Sequence, residues 1–213
     1  MSDIEIDSSR RSFFSSLFRK TTDLAVRVAD VQHEVQKTSW IRPPFALDEL
    51  EFLSVCTHCD ACIEACPHGT IVPLSSQHGV MVAGTPVLDL QNKACHLCAD
   101  WPCVTACEPG ALKLPVREEE VEAQADQAPL PMPRMAEAAI DTLSCLPHNG
   151  PECGACAASC PVPGALVWTN FKPYIVPQLC TGCALCREAC ITEPKSVVVK
   201  AFWRKPIVKT ASE

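Results

Sequence analysis

Three observations predict an α+β fold of two small tandem units behind an N-terminal helical arm. Sixteen cysteines fall into four runs of four. Short apolar, strand-like stretches recur in the same order around the first two runs and the last two. Between Thr21 and Lys37, apolar Leu24, Val28, Val31 and Val35 return at helical spacing, with charged residues between them.

Composition fits such small units. The chain has 213 residues, with 19 prolines and only 6% aromatic residues. It can bury only thin apolar cores, and units of that kind need a covalent or metal staple. No apolar run approaches the ~18 residues that would suggest a membrane span. Met1 is followed by acidic and polar residues, with no apolar secretory region. A soluble, cytoplasmic protein is therefore expected, and there thiols stay reduced and clustered cysteines bind metal. The net charge of −7 argues against a nucleic-acid partner, which requires a basic face. It favours a partner with a basic docking patch.

The first run is Cys56-x2-Cys59-x2-Cys62-x3-Cys66, followed by Pro67. The second is Cys95-x2-Cys98-x4-Cys103-x3-Cys107. The third is Cys145-x7-Cys153-x2-Cys156-x3-Cys160, followed by Pro161. The fourth is Cys180-x2-Cys183-x2-Cys186-x3-Cys190. The first and fourth have the spacing of bacterial [4Fe–4S] ferredoxins. Three thiolates on one tight loop reach three irons of one cluster. The fourth cysteine lies on the following helix and reaches the neighbouring cluster. The second and third runs are stretched but keep the final C-x3-C. Zinc and disulfides are the competing uses, and neither matches this spacing and compartment as well.

Four [4Fe–4S] clusters follow. The first takes Cys56, Cys59, Cys62 and Cys107, and the second takes Cys95, Cys98, Cys103 and Cys66. The third takes Cys145, Cys153, Cys156 and Cys190, and the fourth takes Cys180, Cys183, Cys186 and Cys160. Full cysteine ligation leaves no open iron position, which points to electron carriage or cluster transfer. No nucleotide loop, flavin motif or catalytic triad is visible, so no catalytic residue is assigned and a non-enzyme is expected. His58 and His96 lie inside the cysteine loops; with four cysteines per cluster they are read as flanking residues rather than ligands. Ile63, Leu97 and Leu185 are expected to shield sulfurs from water.

The organisation is therefore an arm over 1–45, closed by Pro43-Pro44, then a ferredoxin-like two-cluster domain over 46–117. An acidic, Pro-rich spacer covers 118–140. A second two-cluster domain covers 141–200 and a tail 201–213. Helix is expected from Cys62 to Cys66. Strands are expected at Gly79–Val82, Pro86–Asp89, Ala165–Trp168, Tyr174–Val176 and Ser196–Val199.

Near the start, Ser9-Arg10-Arg11-Ser12-Phe13-Phe14 has the look of a twin-arginine motif. Arg19, Lys20 and Asp23 interrupt the apolar stretch that export requires, so a docking arm is the preferred reading. Together with Ile41-Arg42-Pro43-Pro44, Cys56-Thr57-His58-Cys59-Asp60-Ala61-Cys62, the long gap from Cys145 to Cys153 and Pro177-Gln178-Leu179-Cys180, this stretch resembles the NapF family. Those are ferredoxin-type accessory proteins of periplasmic nitrate reductase systems. The resemblance implies a cytoplasmic four-cluster protein. It would mature, or supply electrons to, the immature molybdenum catalytic subunit, with Arg10, Arg11 and Arg42 as partner contacts. An electron-transfer subunit of a multi-subunit oxidoreductase is the alternative.

Overall fold

In the computed structural model, residues 40–115 and 131–202 are described, and they belong to one compact unit. The helical arm, Arg10, Arg11 and most of the acidic spacer lie outside these residues.

The first half starts where Ile41, 7% exposed, accepts the Leu88 N–H through its carbonyl at 2.7 Å. Residues 41–45, expected to close the arm, are thus part of this half. Helix α1, Glu49–Val55, carries two acidic residues in its first turn, where they favour the positive end of the helix dipole. It buries Phe52 completely. The first cysteine loop leads into α2, Ala61–Glu64. Strand β1, Ile71–Pro73, pairs antiparallel with β2, Pro86–Leu88. The second cysteine loop leads into α3, Pro102–Thr105, which packs on α2. The chain returns to its own start, with an antiparallel bridge between Ala46 and Leu112.

The second half repeats the strand pair between two cysteine loops and the helix after the second loop, but opens on a strand and, among the described residues, has no helix after its first loop. Strand β3, Ala136–Ile140, pairs with β6, Val197–Ala201, in the register Ala136 to Ala201 and Ile140 to Val197. Strands β4, Leu166–Thr169, and β5, Lys172–Ile175, form a hairpin. Asn170 and Phe171 at its turn have φ of 50° and 61°, the two left-handed residues that a tight hairpin turn requires. Helix α4, Leu185–Glu188, follows the fourth cysteine loop.

Two expectations change. Gly79–Val82 is a turn rather than a strand. The Val82 and Ala83 N–H groups donate back to the Gly79 carbonyl, and Gly79 takes a φ of 110°. With no partner strand, Val80 and Met81 are 91% and 84% exposed. The strand opposite Pro86–Leu88 is instead Ile71–Pro73. The end of the segment read as a spacer is also a strand: β3 buries Ala136 and Ala138 and exposes Glu137. That alternation is short and built on alanine, so it is weak in the sequence. The long apolar β6 completes it.

The halves share a core. Phe52, Leu88, Leu90 and Trp101 of the first pack in one cluster with Met135, Ala136, Val197 and Val199 of the second. Gln91 Nε2 donates to the Val199 carbonyl at 3.1 Å. Cys95 N–H donates to the Cys183 carbonyl at 2.8 Å.

Candidate iron–sulfur centres

The cysteine loops are shaped by left-handed residues. In the first run these are His58 and Asp60, with φ of 57° and 61°. In the second they are Leu97 and Trp101, at 51° and 46°. In the fourth they are Gly182 and Ala184, at 74° and 69°. Each pair flanks the second cysteine, one residue before it and one to three after. A non-glycine residue in this region costs about 1–2 kcal/mol. Five such residues in cysteine loops mean that the surrounding structure enforces the turn. Alternating hand turns successive N–H groups toward one centre, a geometry suited to anions. A thiolate-ligated cluster is such an anion. Sequence spacing alone did not expose this pattern, and only Gly182 hinted at it.

These loops bring together the four thiols assigned to each of three sites. Cys56, Cys59, Cys62 and Cys107 line one cavity of about 340 Å3, with Phe52 and Leu112. Cys66, Cys95, Cys98 and Cys103 line a second of about 350 Å3, with Trp101. Cys160, Cys180, Cys183 and Cys186 line another of about 330 Å3, with Val162, Leu166 and Thr181. At the third site, Cys145, Cys190 and Cys153 all bear on Cys156 by charge repulsion.

Burial governs most of these thiols. It pushes Cys62 up to about 11, helped by repulsion from Cys107, Cys56 and Cys59. It pushes Cys103 up to about 12, with Cys95 and Cys66 adding to the rise. Cys186 also rises to about 12, through burial and then Cys183 and Cys180. Thiols held this high need a bound positive centre to become thiolates. Two behave otherwise. At Cys66 burial is opposed and outweighed by backbone N–H groups of Thr70, His68, Ile71 and Gly69, which lower it. At Cys190 burial is outweighed by the Thr192 hydroxyl and by Thr192, Ser196 and Val197 N–H groups. Both are the last cysteine of their run, the one donated to a neighbouring site.

Zinc fits less well. A tetrahedral zinc with ~2.3 Å bonds holds its sulfurs about 3.8 Å apart. Among the described residues, no three His, Cys, Asp or Glu side chains are grouped to hold a single metal ion. The thiols surround a space instead of converging on a point. All sixteen are free.

His58 lines the first cavity and His96 the second, beside their thiol sets. His96 stacks on His68 at 3.6 Å between ring centroids, and its Nε2 lies 3.8 Å from Glu188 Oε2. Leu97, expected to shield sulfur, is buried. Ile63 and Leu185 are half-buried against the shared core. Arg42 points inward. Its Nε and Nη2 donate to both Glu49 carboxylate oxygens at 3.0 and 2.5 Å. Its Nη1 donates to Thr85 Oγ1 and to the Pro86 carbonyl. The guanidinium expected to meet a partner is therefore committed within the first half.

Comparison with known proteins agrees with this geometry. A 4Fe-4S binding domain family model matches residues 52–72. The ferredoxin-type protein NapG of Escherichia coli is 31% identical over 209 residues, covering 90% of this chain and 85% of that protein. The chain belongs to the ferredoxin-type protein family. The methylamine utilization ferredoxin-type protein MauM of Paracoccus denitrificans is 31% identical over 164 residues, covering 71% of this chain. The chain spans 66% of that protein's length. The ferredoxin-type protein NapF of Escherichia coli is 29% identical over 192 residues, covering 88% of this chain and 92% of NapF. The family expectation holds at the level of ferredoxin-type Nap proteins, with identity to NapG above that to NapF. This chain is thus a ferredoxin-type iron–sulfur protein, and electron transfer is the activity of its family.

Proposed function

We propose that this ferredoxin-type protein holds four [4Fe–4S] clusters and relays single electrons to a partner oxidoreductase. The observation that carries this reading is the interleaving of the thiol sets. Cys62 on α2 and Cys66 just past its end line two different sites, and so do Cys103 on α3 and Cys107 just past its end. Cys186 and Cys190 do the same in the second half. The two halves meet where Cys95, of the second site, donates its N–H to the carbonyl of Cys183, of the fourth. The order of sites is therefore first, second, fourth, third. Bound clusters supply one-electron redox chemistry. The chain's own work is to present thiolates, exclude water with Phe52, Leu97 and Trp101, and hold neighbouring sites in fixed sequence.

Likeness to NapG and NapF points to a periplasmic nitrate reductase system as the destination. Maturation of its molybdenum subunit in the cytoplasm is the second reading, favoured by the near-complete span of NapF. The first test is anaerobic reconstitution with iron and sulfide counting. Four irons per thiol set are expected, and uptake at only some sets refutes the four-cluster reading. Cofactor-free and mature forms of a co-encoded molybdenum subunit are then offered to the loaded protein. Preference for the immature form supports maturation; binding to the mature form alone leaves electron supply. Cell fractionation with and without Arg10→Lys and Arg11→Lys tests the compartment. An exported pool that disappears in the double variant overturns the cytoplasmic assignment.

A further inference from the structure

The fourth site contains a polar atom that its four cysteines leave unexplained. Thr181 is 2% exposed, and its Oγ1 has no hydrogen-bond partner among the described residues. Buried hydroxyls are normally partnered. This one lines the cavity of Cys160, Cys180, Cys183 and Cys186. Its backbone is pinned from three directions. The Thr181 carbonyl accepts the Met135 and Ala136 N–H groups at 2.9 and 3.4 Å. A Cβ on the next residue, Gly182, would fall 2.2 Å from the Ala136 carbonyl oxygen. Cys183 is tied to the first half through Cys95. The hydroxyl is therefore held at the sulfur-lined cavity with rotation about χ1 and its own O–H bond as its remaining freedom.

We propose that the Thr181 hydroxyl donates a hydrogen bond to the sulfur shell of the fourth site and raises the reduction potential of the cluster held there. Reduction adds an electron to an already anionic group, and burial disfavours that added charge. A hydrogen bond to a ligand sulfur favours it, because the acceptor is more negative in the reduced state. The corresponding position is Thr57 in the first run, His96 in the second and Gly154 in the third, and all three are exposed. The buried donor thus distinguishes the fourth site, which is also the one joined to the other half.

The inference rests on the reading that these thiols hold a [4Fe–4S] cluster. The test is a potentiometric titration of the reconstituted full chain, followed by electron paramagnetic resonance and accompanied by iron counts. Thr181→Val is expected to lower one of the four midpoint potentials and leave the others. Thr181→Ser is expected to restore it, and Thr57→Val to change none. Unchanged potentials in Thr181→Val overturn the proposal, as does a shift that Thr181→Ser fails to reverse. Thr181→Ala is the second variant without a hydroxyl. Loss of iron from both Val and Ala variants, with Ser intact, would make the hydroxyl an assembly requirement and also overturn it. A wild-type chain lacking iron at the fourth thiol set defeats the underlying reading instead, and the iron count separates the two failures.

Discussion

Arg42 shows how a charged side chain becomes structural. Its guanidinium spends its donors on Glu49, Thr85 and Pro86 and stacks over Phe52 at 4.4 Å. The side chains of Arg42 and Glu49 are 10% and 18% exposed, so removing one leaves the other charged and desolvated. Arg42→Ala should cost about 3 kcal/mol, read as an earlier anaerobic thermal midpoint. Arg42→Lys should recover only part, because an ammonium cannot make the two-pronged contact. Asp141 acts at the surface. Its Oδ1 accepts the Leu143 N–H at 3.0 Å and its Oδ2 the Ser144 hydroxyl at 2.7 Å. The Ser144 hydroxyl, then the Leu143 N–H, hold its carboxyl below the ordinary value of 3.8. A carboxyl whose folded pKa lies below its unfolded one stabilises the fold above the unfolded value. That contribution fades as pH falls through 3.8 and the folded value beneath it. Hydrogen-exchange protection at Leu143 should drop in that window in the wild type and be low at every pH in Asp141→Ala.

Strand β3 and the fourth cysteine loop form one element in energetic terms. The loop passes so close to β3 that Gly182 has no room for a side chain: the Ala136 carbonyl oxygen, carbon and Cα all lie within 2.7 Å of an added Cβ. Gly182 also has a φ of 74°, which glycine alone adopts without strain. Gly182→Ala should therefore cost about 2–4 kcal/mol and release iron from the fourth site first. Gly154 is the control, since an added Cβ there meets nothing within 4 Å. Gly154→Ala should leave iron content and thermal midpoint nearly unchanged. Should both variants behave alike, the close approach is not what holds the loop.

On the scale of the whole molecule, the shared core decides how the protein comes apart. Apolar side chains of both halves pack in one cluster, and Gln91, Arg187 and Cys95 add hydrogen bonds across the junction. Each half alone has a thin core, and metal binding is part of its folding energy. Stripping iron with a chelator should unfold both halves in one step, followed by circular dichroism in the far ultraviolet. Two separated transitions would contradict a shared core.

Cysteine spacing by itself proposes the thiol sets: three members share one short loop, whose reach is a local property, while the fourth is drawn from a neighbouring run by adjacency. The same local physics placed the turn at Asn170, the closing valine strand and a short helix near Cys62, which runs over Ala61–Glu64 instead of Cys62–Cys66. Other features needed distant segments to meet. Val80 and Met81 have strand composition but find no partner. Ala136–Ile140 reads as the end of a polar spacer, yet β6 recruits it. Arg42 looked available until Glu49 and Thr85 folded around it. Thr57 and Thr181 hold the same place in similar runs, and only burial beneath β3 separates them. Burial and pairing depend on two parts of the chain at once, so the tertiary structure decided them.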